Sequence, residues 1–175
     1  MDRRQKTVLL LLVSTFITLM CPGETQASCC CPTFWTAYNG HCYRLFGDLK
    51  NWHEAEEFCT QFSVPSLGLG ETARDSLGHL VSINSPDEHD FVATYYKSAT
   101  GASQDLWLGC QDITTEGTFK WTDRSPFNFN MWASNQPDNG GSTEDCGEIK
   151  VAYGYKWNDD QCDNTAYFMC KMPIW

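Results

Sequence analysis

Residues 136–162 read QPDNGGSTEDCGEIKVAYGYKWNDDQC, a stretch dense in side chains that carry oxygen. These side chains fall into three clusters, at 136–139, 144–145 and 158–160, each close to a cysteine or a tryptophan. The pattern favours calcium, a hard cation that takes roughly six to eight oxygen ligands, because amide oxygens raise the ligand count without adding charge. The same residue types are common in solvated turns, so the composition of this stretch leaves both interpretations open.

The whole chain has 175 residues, a 14% aromatic fraction and 22 acidic against 12 basic side chains, for a net charge of −10. A chain of this length predicts one domain, since domains run to about 100–200 residues. The negative charge excludes nucleic acid and anionic membrane surfaces as natural partners, because the protein's own field repels them. A cation is the expected counter-ion.

Residues 1–27 differ from the rest and predict a signal peptide. Three basic residues precede an apolar run at 8–20, and Thr25 and Ala27 place small side chains before a cut preceding Ser28. The run is shorter than the roughly 20 residues needed to span a bilayer, although an uncleaved anchor is the alternative interpretation. Since no second run of membrane length follows, we expect a secreted, extracellular protein without membrane insertion.

Secretion determines how the ten cysteines are interpreted, because an oxidising compartment favours disulfides over thiolates kept for zinc or catalysis. Nine of them follow the predicted cleavage site, and Cys29, Cys30 and Cys31 are consecutive. Adjacent cysteines rarely pair with one another. The odd number therefore predicts a bond between subunits.

Capping signals place two helices. Asn51 followed three residues later by Glu54 predicts a capping box, and Ser85 before Pro86 predicts a second helix start. Both segments then carry apolar residues at helical spacing, which predicts faces that pack on the core. These residues are Trp52, Ala55, Phe58, Cys59 and Phe62 in the first helix and Phe91, Val92 and Tyr95 in the second.

Short runs rich in aromatic and β-branched residues predict strands, and with the two helices they predict an α+β fold. The runs are 42–46, 79–83, 106–110, 118–121, 146–151 and 166–172. Segment 123–144 has little apolar periodicity and is longer than an ordinary connection, which predicts a functional loop.

Catalytic patterns are missing from the sequence. The four histidines, at 41, 53, 79 and 89, show no H-E-x-x-H spacing, and there is no G-x-S-x-G turn or glycine-rich phosphate loop. We therefore expect a protein that is not an enzyme.

A series of motifs occurs in the order found in one known family. The motifs are Cys31-Pro32-x-x-Trp35, Cys42-Tyr43, Cys59, Trp107-Leu108-Gly109, Glu116-Gly117-x-Phe119-x-Trp121, Gln136-Pro137-Asp138, Glu144-Asp145-Cys146, Trp157-Asn158-Asp159-x-x-Cys162 and Cys170. Through them the chain resembles the C-type lectin domain family over residues 31–175. The cysteine-rich start and the segments 62–66 and 173–175 are most similar to the echinoidin group of echinoderm members.

The resemblance implies the C-type lectin fold: two helices, short antiparallel sheets and a long calcium-binding loop region, stapled by disulfides. The implied intrachain disulfides are Cys31–Cys42, Cys59–Cys170 and Cys146–Cys162, and Cys29 and Cys30 are candidates for bonds between chains. The resulting domain layout is a signal peptide at 1–27, a cysteine-rich tail at 28–30 and a carbohydrate-recognition domain at 31–175.

The resemblance also implies a main Ca²⁺ site at which the same side chains hydrogen-bond two adjacent sugar hydroxyls. Its side-chain ligands are Gln136, Asp138, Glu144, Asn158 and Asp159, joined by the backbone carbonyl of Asp159. Pro137 is expected to follow a cis peptide bond. The order Gln-Pro-Asp is of the galactose type, which implies galactose or N-acetylgalactosamine rather than mannose, because exchanging amide and acid changes the donors and acceptors offered to each hydroxyl.

A second calcium site is implied by the family's auxiliary positions, which here are Asp112, Glu116, Asn139 and Asp145. Asn139 departs from the family pattern, which has an acid there. The tryptophan that often follows Gln-Pro-Asp in galactose binders is missing too, so either Tyr153 or Tyr155 packs on the sugar, or both are ordinary aromatics. Cys110 is either a buried thiol or a partner of Cys29 or Cys30.

Two functions follow from these observations. The first is a secreted, calcium-dependent lectin of innate defence that agglutinates cells or microbes bearing galactose-type glycans, with disulfide-linked homo-oligomers raising avidity. The alternative is an acidic extracellular-matrix or biomineral-associated protein with the same fold and no sugar binding. The complete set of five calcium and sugar ligands favours the lectin.

Overall fold

The computed structural model of the chain describes residues 31–62, 77–101 and 103–174. The predicted signal peptide at 1–27, the tail at 28–30 with Cys29 and Cys30, and most of segment 62–66 lie outside the described residues. No helix within the described ranges is both long and apolar enough to cross a membrane.

The first predicted helix is present as α1, Trp52–Cys59, and begins at the predicted capping box. The Asn51 side chain accepts a hydrogen bond from the Glu54 N–H at 2.9 Å, and the Glu54 carboxylate accepts one from the Asn51 N–H at 3.4 Å. The helix ends before Phe62, which packs beyond it in the same cluster. The buried residues of α1 are Trp52, Ala55 and Cys59.

The second predicted helix is present as α2, Pro86–Thr100. Ser85 caps it by accepting a hydrogen bond from the Glu88 N–H at 3.2 Å. It ends at Gly101, whose φ of 67° lies in the left-handed region that glycine adopts without strain. Val92, within the predicted apolar face, is fully buried against the core.

All six predicted strand runs contribute to one hydrogen-bonded sheet, together with two further strands. The strands are β1 Thr36–Tyr38, β2 His41–Lys50, β3 His79–Leu80, β4 Leu106–Gln111, β5 Lys120–Trp121, β6 Cys146–Lys150, β7 Lys156–Asp160 and β8 Ala166–Pro173. Their order is β1-β2-β8-β4-β6-β7, with β3 beside β8 and β5 beside β4. The sequence did not predict β7 because Lys-Trp-Asn-Asp-Asp has low strand propensity.

The pairing differs in one respect from the expected short antiparallel sheets. β4 pairs with β8 in parallel, with Leu106 opposite Tyr167, so the predicted antiparallel pieces join into a single eight-stranded sheet. Parallel pairing is possible here because β4 and β8 are separated by a long stretch of chain, which can make the crossover that parallel strands require. The predicted α+β class is confirmed.

The long segment 123–144, described throughout, adds no strand to the sheet but is anchored by aromatic side chains. Phe129 and Trp132 pack on the buried indole of Trp157, with ring centroids 5.8 and 5.6 Å away. Backbone hydrogen bonds from Ala133 N–H to the Trp157 carbonyl (2.8 Å) and from Trp157 N–H to the Met131 carbonyl (2.9 Å) fix the same junction. The loop is therefore held to β7 immediately before Gln136.

The three predicted disulfides are present: Cys31–Cys42, Cys59–Cys170 and Cys146–Cys162. The second joins α1 to β8 across a sequence separation of 111 residues, for which the chain-entropy model gives about 4–5 kcal/mol of stabilisation. Cys110 is a free and fully buried thiol whose pKa is raised by that burial, in line with the first of the two alternatives. A Cβ at position 147 would lie 2.2 Å from the Cys110 Sγ, so only glycine fits at that position.

Candidate functional site

The predicted calcium ligands come from three stretches that the fold brings together. β6 and β7 pair so that Gly147 lies opposite Asp159 and Glu148 opposite Asn158, and the Cys146–Cys162 disulfide ties the ends of the two strands. The loop before β6 supplies the remaining ligands. The sheet thus places Asn158 and Asp159 on a paired strand, and Asp159 contacts the loop through the N–H groups of Asp138 and Asn139.

Three carboxylates converge at this junction. One oxygen from each of Asp138, Glu144 and Asp159 lies within 4.8 Å of the others. Asp138 is exposed, Glu144 half-buried and Asp159 only 1% exposed. The cluster therefore opens to solvent on one side and is held by the sheet on the other.

Backbone N–H groups hold these carboxylates. Asp159 accepts hydrogen bonds from the Asp138 N–H (3.1 Å) and the Asn139 N–H (2.7 Å), and Glu144 accepts one from the Gly140 N–H (2.9 Å). Gly140 is required at its position, since a Cβ there would lie 2.8 Å from a carboxylate oxygen of Glu144. The backbone of the loop therefore holds the carboxylates of both Asp159 and Glu144.

Within the described residues, no lysine, arginine or histidine forms an ion pair with this cluster. Burial, followed by the negative charges of Asp159, Asp160 and Asp138, raises the pKa of the Glu144 carboxyl. Carboxylates that face one another without a cationic side chain are electrostatically unfavourable and favour a bound cation.

The two predicted amide ligands, Gln136 and Asn158, lie within two residues of Asp138 and Asp159 in the sequence. The Gln136–Pro137 bond is cis, as expected, and the Gln136 Oε1 atom is buried without a hydrogen-bond partner in the described part of the chain. Such an orphaned acceptor is costly unless a cation or a ligand satisfies it. Because the donor set consists of carboxylate and amide oxygens without thiolate or imidazole, it fits Ca²⁺ rather than zinc.

Asn158 is buried, with 7% of its surface exposed, and its carboxamide is tightly held. Its Nδ2 donates to the Glu148 Oε1 at 3.0 Å and to the Asp159 carbonyl at 2.5 Å. Glu148 in turn accepts a hydrogen bond from the Lys150 ammonium at 2.8 Å. Burial raises the pKa of Glu148 to about 7, although Lys150 acts in the opposite direction.

Sequence reasoning missed Glu148 and Lys150. The available signal was alternation in the predicted strand 146–151, which places Cys146, Glu148 and Lys150 on one face. Glu148 lies two residues after Cys146, which directly follows the predicted ligands Glu144 and Asp145. A carboxylate at this position indicates a hydrogen-bond partner for one of the amide ligands.

The predicted second calcium set is only partly assembled. Asp112 is 2% exposed, and its Oδ2 accepts the Gly117 N–H at 2.7 Å while its Oδ1 is buried without a partner in the described residues. Burial, then Glu116 and Asp145, raise the pKa of Asp112. Among the described residues, however, the only trio of acidic ligand atoms within 4.8 Å is the one at the main site.

Asn139 occupies the space between the two sets. Its Nδ2 forms a short hydrogen bond with the Glu116 carboxylate, and its Oδ1 accepts the Glu144 N–H at 3.1 Å. The residue that departs from the family pattern thus links a second-set acid to a main-site ligand. Occupancy of the second site stays a prediction.

The two tyrosines considered for sugar packing lie at the end of the β6–β7 hairpin. Tyr153 is 46% exposed. Tyr155 packs against the core, with the Lys97 ammonium 5.4 Å from its ring. Tyr155 is therefore engaged by α2, and of the two only Tyr153 presents a largely free ring.

The fold and the site define a class of calcium-binding recognition domain. The family model described as Lectin C-type domain matches residues 71–172, more than half of the chain. The chain therefore belongs to the C-type lectin domain family, which binds carbohydrate and generally binds Ca²⁺.

Individual relatives agree with that assignment. Echinoidin of Heliocidaris crassispina is 47% identical over 149 residues, covering 83% of this chain and 99% of echinoidin. An alpha-N-acetylgalactosamine-specific lectin of Patiria pectinifera is 40% identical over 141 residues, covering 79% of this chain and 77% of that protein. The crystal structure of C-type lectin CEL-I from Cucumaria echinata superposes with a TM-score of 0.74 at 34% identity, covering 83% of this chain and 99% of CEL-I.

These relationships confirm the predicted C-type lectin family and fold, including the similarity to echinoderm members. They also confirm the prediction that the chain is not an enzyme, because C-type lectins bind carbohydrate without catalysing a reaction.

Proposed function

We propose that this chain is a secreted lectin that binds galactose or N-acetylgalactosamine through a calcium ion. The proposed ligands of that ion are Gln136, Asp138, Glu144, Asn158 and Asp159. The observation that carries the proposal is the convergence of three carboxylates from separate stretches to within 4.8 Å, with no cationic side chain paired to them among the described residues. A structural protein has no need of this arrangement.

The bound ion would act as a Lewis acid toward two adjacent sugar hydroxyls, since calcium accepts up to about eight oxygens. The chain's own groups orient those hydroxyls. Asp138 and Glu144 are acceptors at the open side of the site, and the carboxamide of Gln136 offers both donors and an acceptor. Sugar affinity therefore depends on metal occupancy.

The galactose type rests on the order of amide and acid around the cis bond. Gln136 precedes Pro137 and Asp138 follows it, so an amide that both donates and accepts comes before the proline and an acceptor-only carboxylate comes after it. The specificity named for the Patiria relative supports the same choice.

We further propose a second, weaker calcium site at Asp112, Glu116, Asn139 and Asp145. The buried, unpartnered Oδ1 of Asp112 supports it. Titration calorimetry should give two calcium ions per chain in the wild type and one in Asp112→Asn. A stoichiometry of one in both proteins would remove the second site and leave the main one.

Secretion and covalent oligomers complete the proposal. Cleavage after residue 27 and interchain bonds through Cys29 or Cys30 predict a mature protein that runs as a multimer without reductant and as a monomer with it. Cys29→Ser with Cys30→Ser should leave sugar binding per site unchanged while abolishing agglutination, because avidity is lost. A monomer on a non-reducing gel would contradict the interchain bond.

The decisive test is retention on galactose-agarose. The protein should bind in calcium, elute with EDTA or free galactose, and pass through a matched mannose column. Flow-through from both sugar columns in calcium would favour the matrix or mineral-associated function.

A further inference from the structure

Glu148 is a buried carboxylate that the main site does not use directly. It is 1% exposed and lies directly opposite Asn158 in the antiparallel pair of β6 and β7. One of its oxygens, Oε1, accepts hydrogen bonds from both Asn158 Nδ2 and Lys150 Nζ. Register and side-chain contacts therefore direct this carboxylate to the one amide ligand that lies on the sheet.

The contact determines which end of the Asn158 carboxamide faces the cation site. The amide nitrogen of Asn158 points toward Glu148, whose Oε1 accepts hydrogen bonds from Asn158 and from Lys150. The amide oxygen is then turned away from Glu148. With both N–H groups engaged, by Glu148 and by the Asp159 carbonyl, the carboxamide has one defined orientation.

We propose that Glu148 is a positioning residue that presents the Asn158 oxygen to calcium and reserves one Asn158 N–H for the sugar. The inference rests on the proposed function. The Asp159 carbonyl, which now accepts the second N–H, is itself a proposed calcium ligand. With the Asp159 carbonyl engaged by a bound ion, the second N–H would be free to donate to a saccharide hydroxyl, while the first stays on Glu148.

Lys150 keeps Glu148 in place. Its ammonium lies 2.8 Å from Glu148, 3.0 Å from Asp105 and 3.8 Å from Asp160. Asp105 is itself fixed, because it accepts the Val151 N–H at 2.8 Å. The buried carboxylate is therefore braced by a cation that is itself held by two further carboxylates, as the groups that orient metal ligands commonly are.

Two substitutions distinguish the role of Glu148 as a hydrogen-bond acceptor from the role of its negative charge. In Glu148→Gln the side-chain oxygen can still accept from Asn158 and Lys150, because both bonds go to the same atom in the wild type. In Glu148→Leu the acceptor is gone. Should the lone Leu variant unfold, Glu148→Leu with Lys150→Met removes the ion pair as a unit, which proteins often tolerate.

Calcium affinity by titration calorimetry is the first measurement. Glu148→Gln should bind calcium like the wild type, and Glu148→Leu, alone or with Lys150→Met, should bind about 10- to 100-fold more weakly. The matched control is Glu88→Gln, another buried carboxylate in a Lys-paired cluster, which should leave calcium affinity unchanged. The proposal is overturned if the Leu variants bind calcium as the folded wild type does, or if Glu148→Gln is as weak as they are.

A second measurement, amide-proton exchange in the presence of chelator, tests the positioning role without bound calcium. The side-chain amide protons of Asn158 should be protected from solvent exchange in the wild type and in Glu148→Gln, and exchange freely in the Leu variants. Equal protection in all three would overturn the positioning role. If the wild type itself binds neither calcium nor galactose, it is the proposed function that fails, and the exchange result stands on its own.

Discussion

Two charged clusters, one around Glu88 on the buried face of α2 and one at the loop beside β7, differ in how their negative charges are balanced. Under the helix, Glu88 accepts hydrogen bonds from the Tyr43 hydroxyl (2.6 Å), the Lys171 ammonium (2.6 Å) and the Asn84 N–H (2.7 Å). At the loop, Asp138, Glu144 and Asp159 face one another and are held by backbone N–H groups.

The difference distinguishes a cluster that stabilises the fold from a cluster that serves binding. Lys171 also donates to the carbonyl and the hydroxyl of Ser82, so the cluster under the helix is closed: each of its charges has a partner within the chain. The loop cluster is preorganised but electrostatically incomplete. A buried charge that stabilises a fold is paired, whereas a charge that serves binding is left for the ligand to neutralise.

The largest effect should come from removing a carboxylate of the loop cluster. Asp159→Asn loses one negative charge at the buried centre of the site and should abolish retention on galactose-agarose in calcium. Asp163→Asn is the matched control, because Asp163 is an exposed acid close by in the sequence and outside the proposed ligand set. Retention of Asp159→Asn equal to that of the control would show that the cluster does not hold the ion.

Breaking the closed cluster should affect stability instead. Lys171→Met strands Glu88 in the core, and the free energy of unfolding in denaturant should fall by about 3–5 kcal/mol. Calcium affinity of the folded variant should equal that of the wild type, since Lys171 lies outside the proposed ligand set. A stable variant with weakened calcium binding would reverse the roles assigned to the two clusters.

Exchanging amide and acid within the site should alter choice of sugar rather than binding. Gln136→Glu with Asp138→Asn keeps one carboxylate and one amide at the cis-proline loop but reverses their order, so the donor pattern is inverted. Competition by free sugars should show a shift from galactose toward mannose. An unchanged galactose preference would mean that another part of the loop selects the sugar.

The smallest effect concerns the Glu144 carboxylate without metal, whose ionised form is disfavoured first by burial and then by the neighbouring acids. Because the pKa of Glu144 is raised in the folded chain, its ionised form opposes folding, so in EDTA wild-type stability should increase as pH falls from neutrality through that pKa. Glu144→Gln should show a smaller increase, because the raised pKa values of Asp112 and Glu148 still contribute, and it should be no less stable than the wild type at pH 7. A drop in stability at pH 7 on this substitution would show that Glu144, like Glu88, serves the fold.

How much of this was predictable differs between the regions. The helix caps at Asn51 and Ser85, the disulfides and the convergence of Asp138, Glu144 and Asp159 followed from local signals or from ordered motifs. Strand β7 did not, because its polar residues have low strand propensity and are ordered by pairing with β6 and by the aromatic packing of Trp157.

The supporting groups of the site were only partly predictable. Strand alternation placed Glu148 on one face with Cys146 and Lys150, and the family motifs grouped Asn139 with Glu116, but neither signal gave the contacts that these residues make. Glu148 meets Asn158 through the register of β6 and β7, and Asn139 bonds Glu116 through the path of the long loop. Contacts that depend on tertiary register therefore had to come from the structure.

Calcium titration with and without galactose tests the central claim most directly. If sugar and protein share one ion, saturating galactose must raise calcium affinity by the same factor by which calcium raises galactose affinity, since binding linkage is reciprocal. We predict that galactose increases calcium affinity in the wild type, whereas mannose leaves it nearly unchanged. An identical calcium affinity with and without galactose would contradict the account.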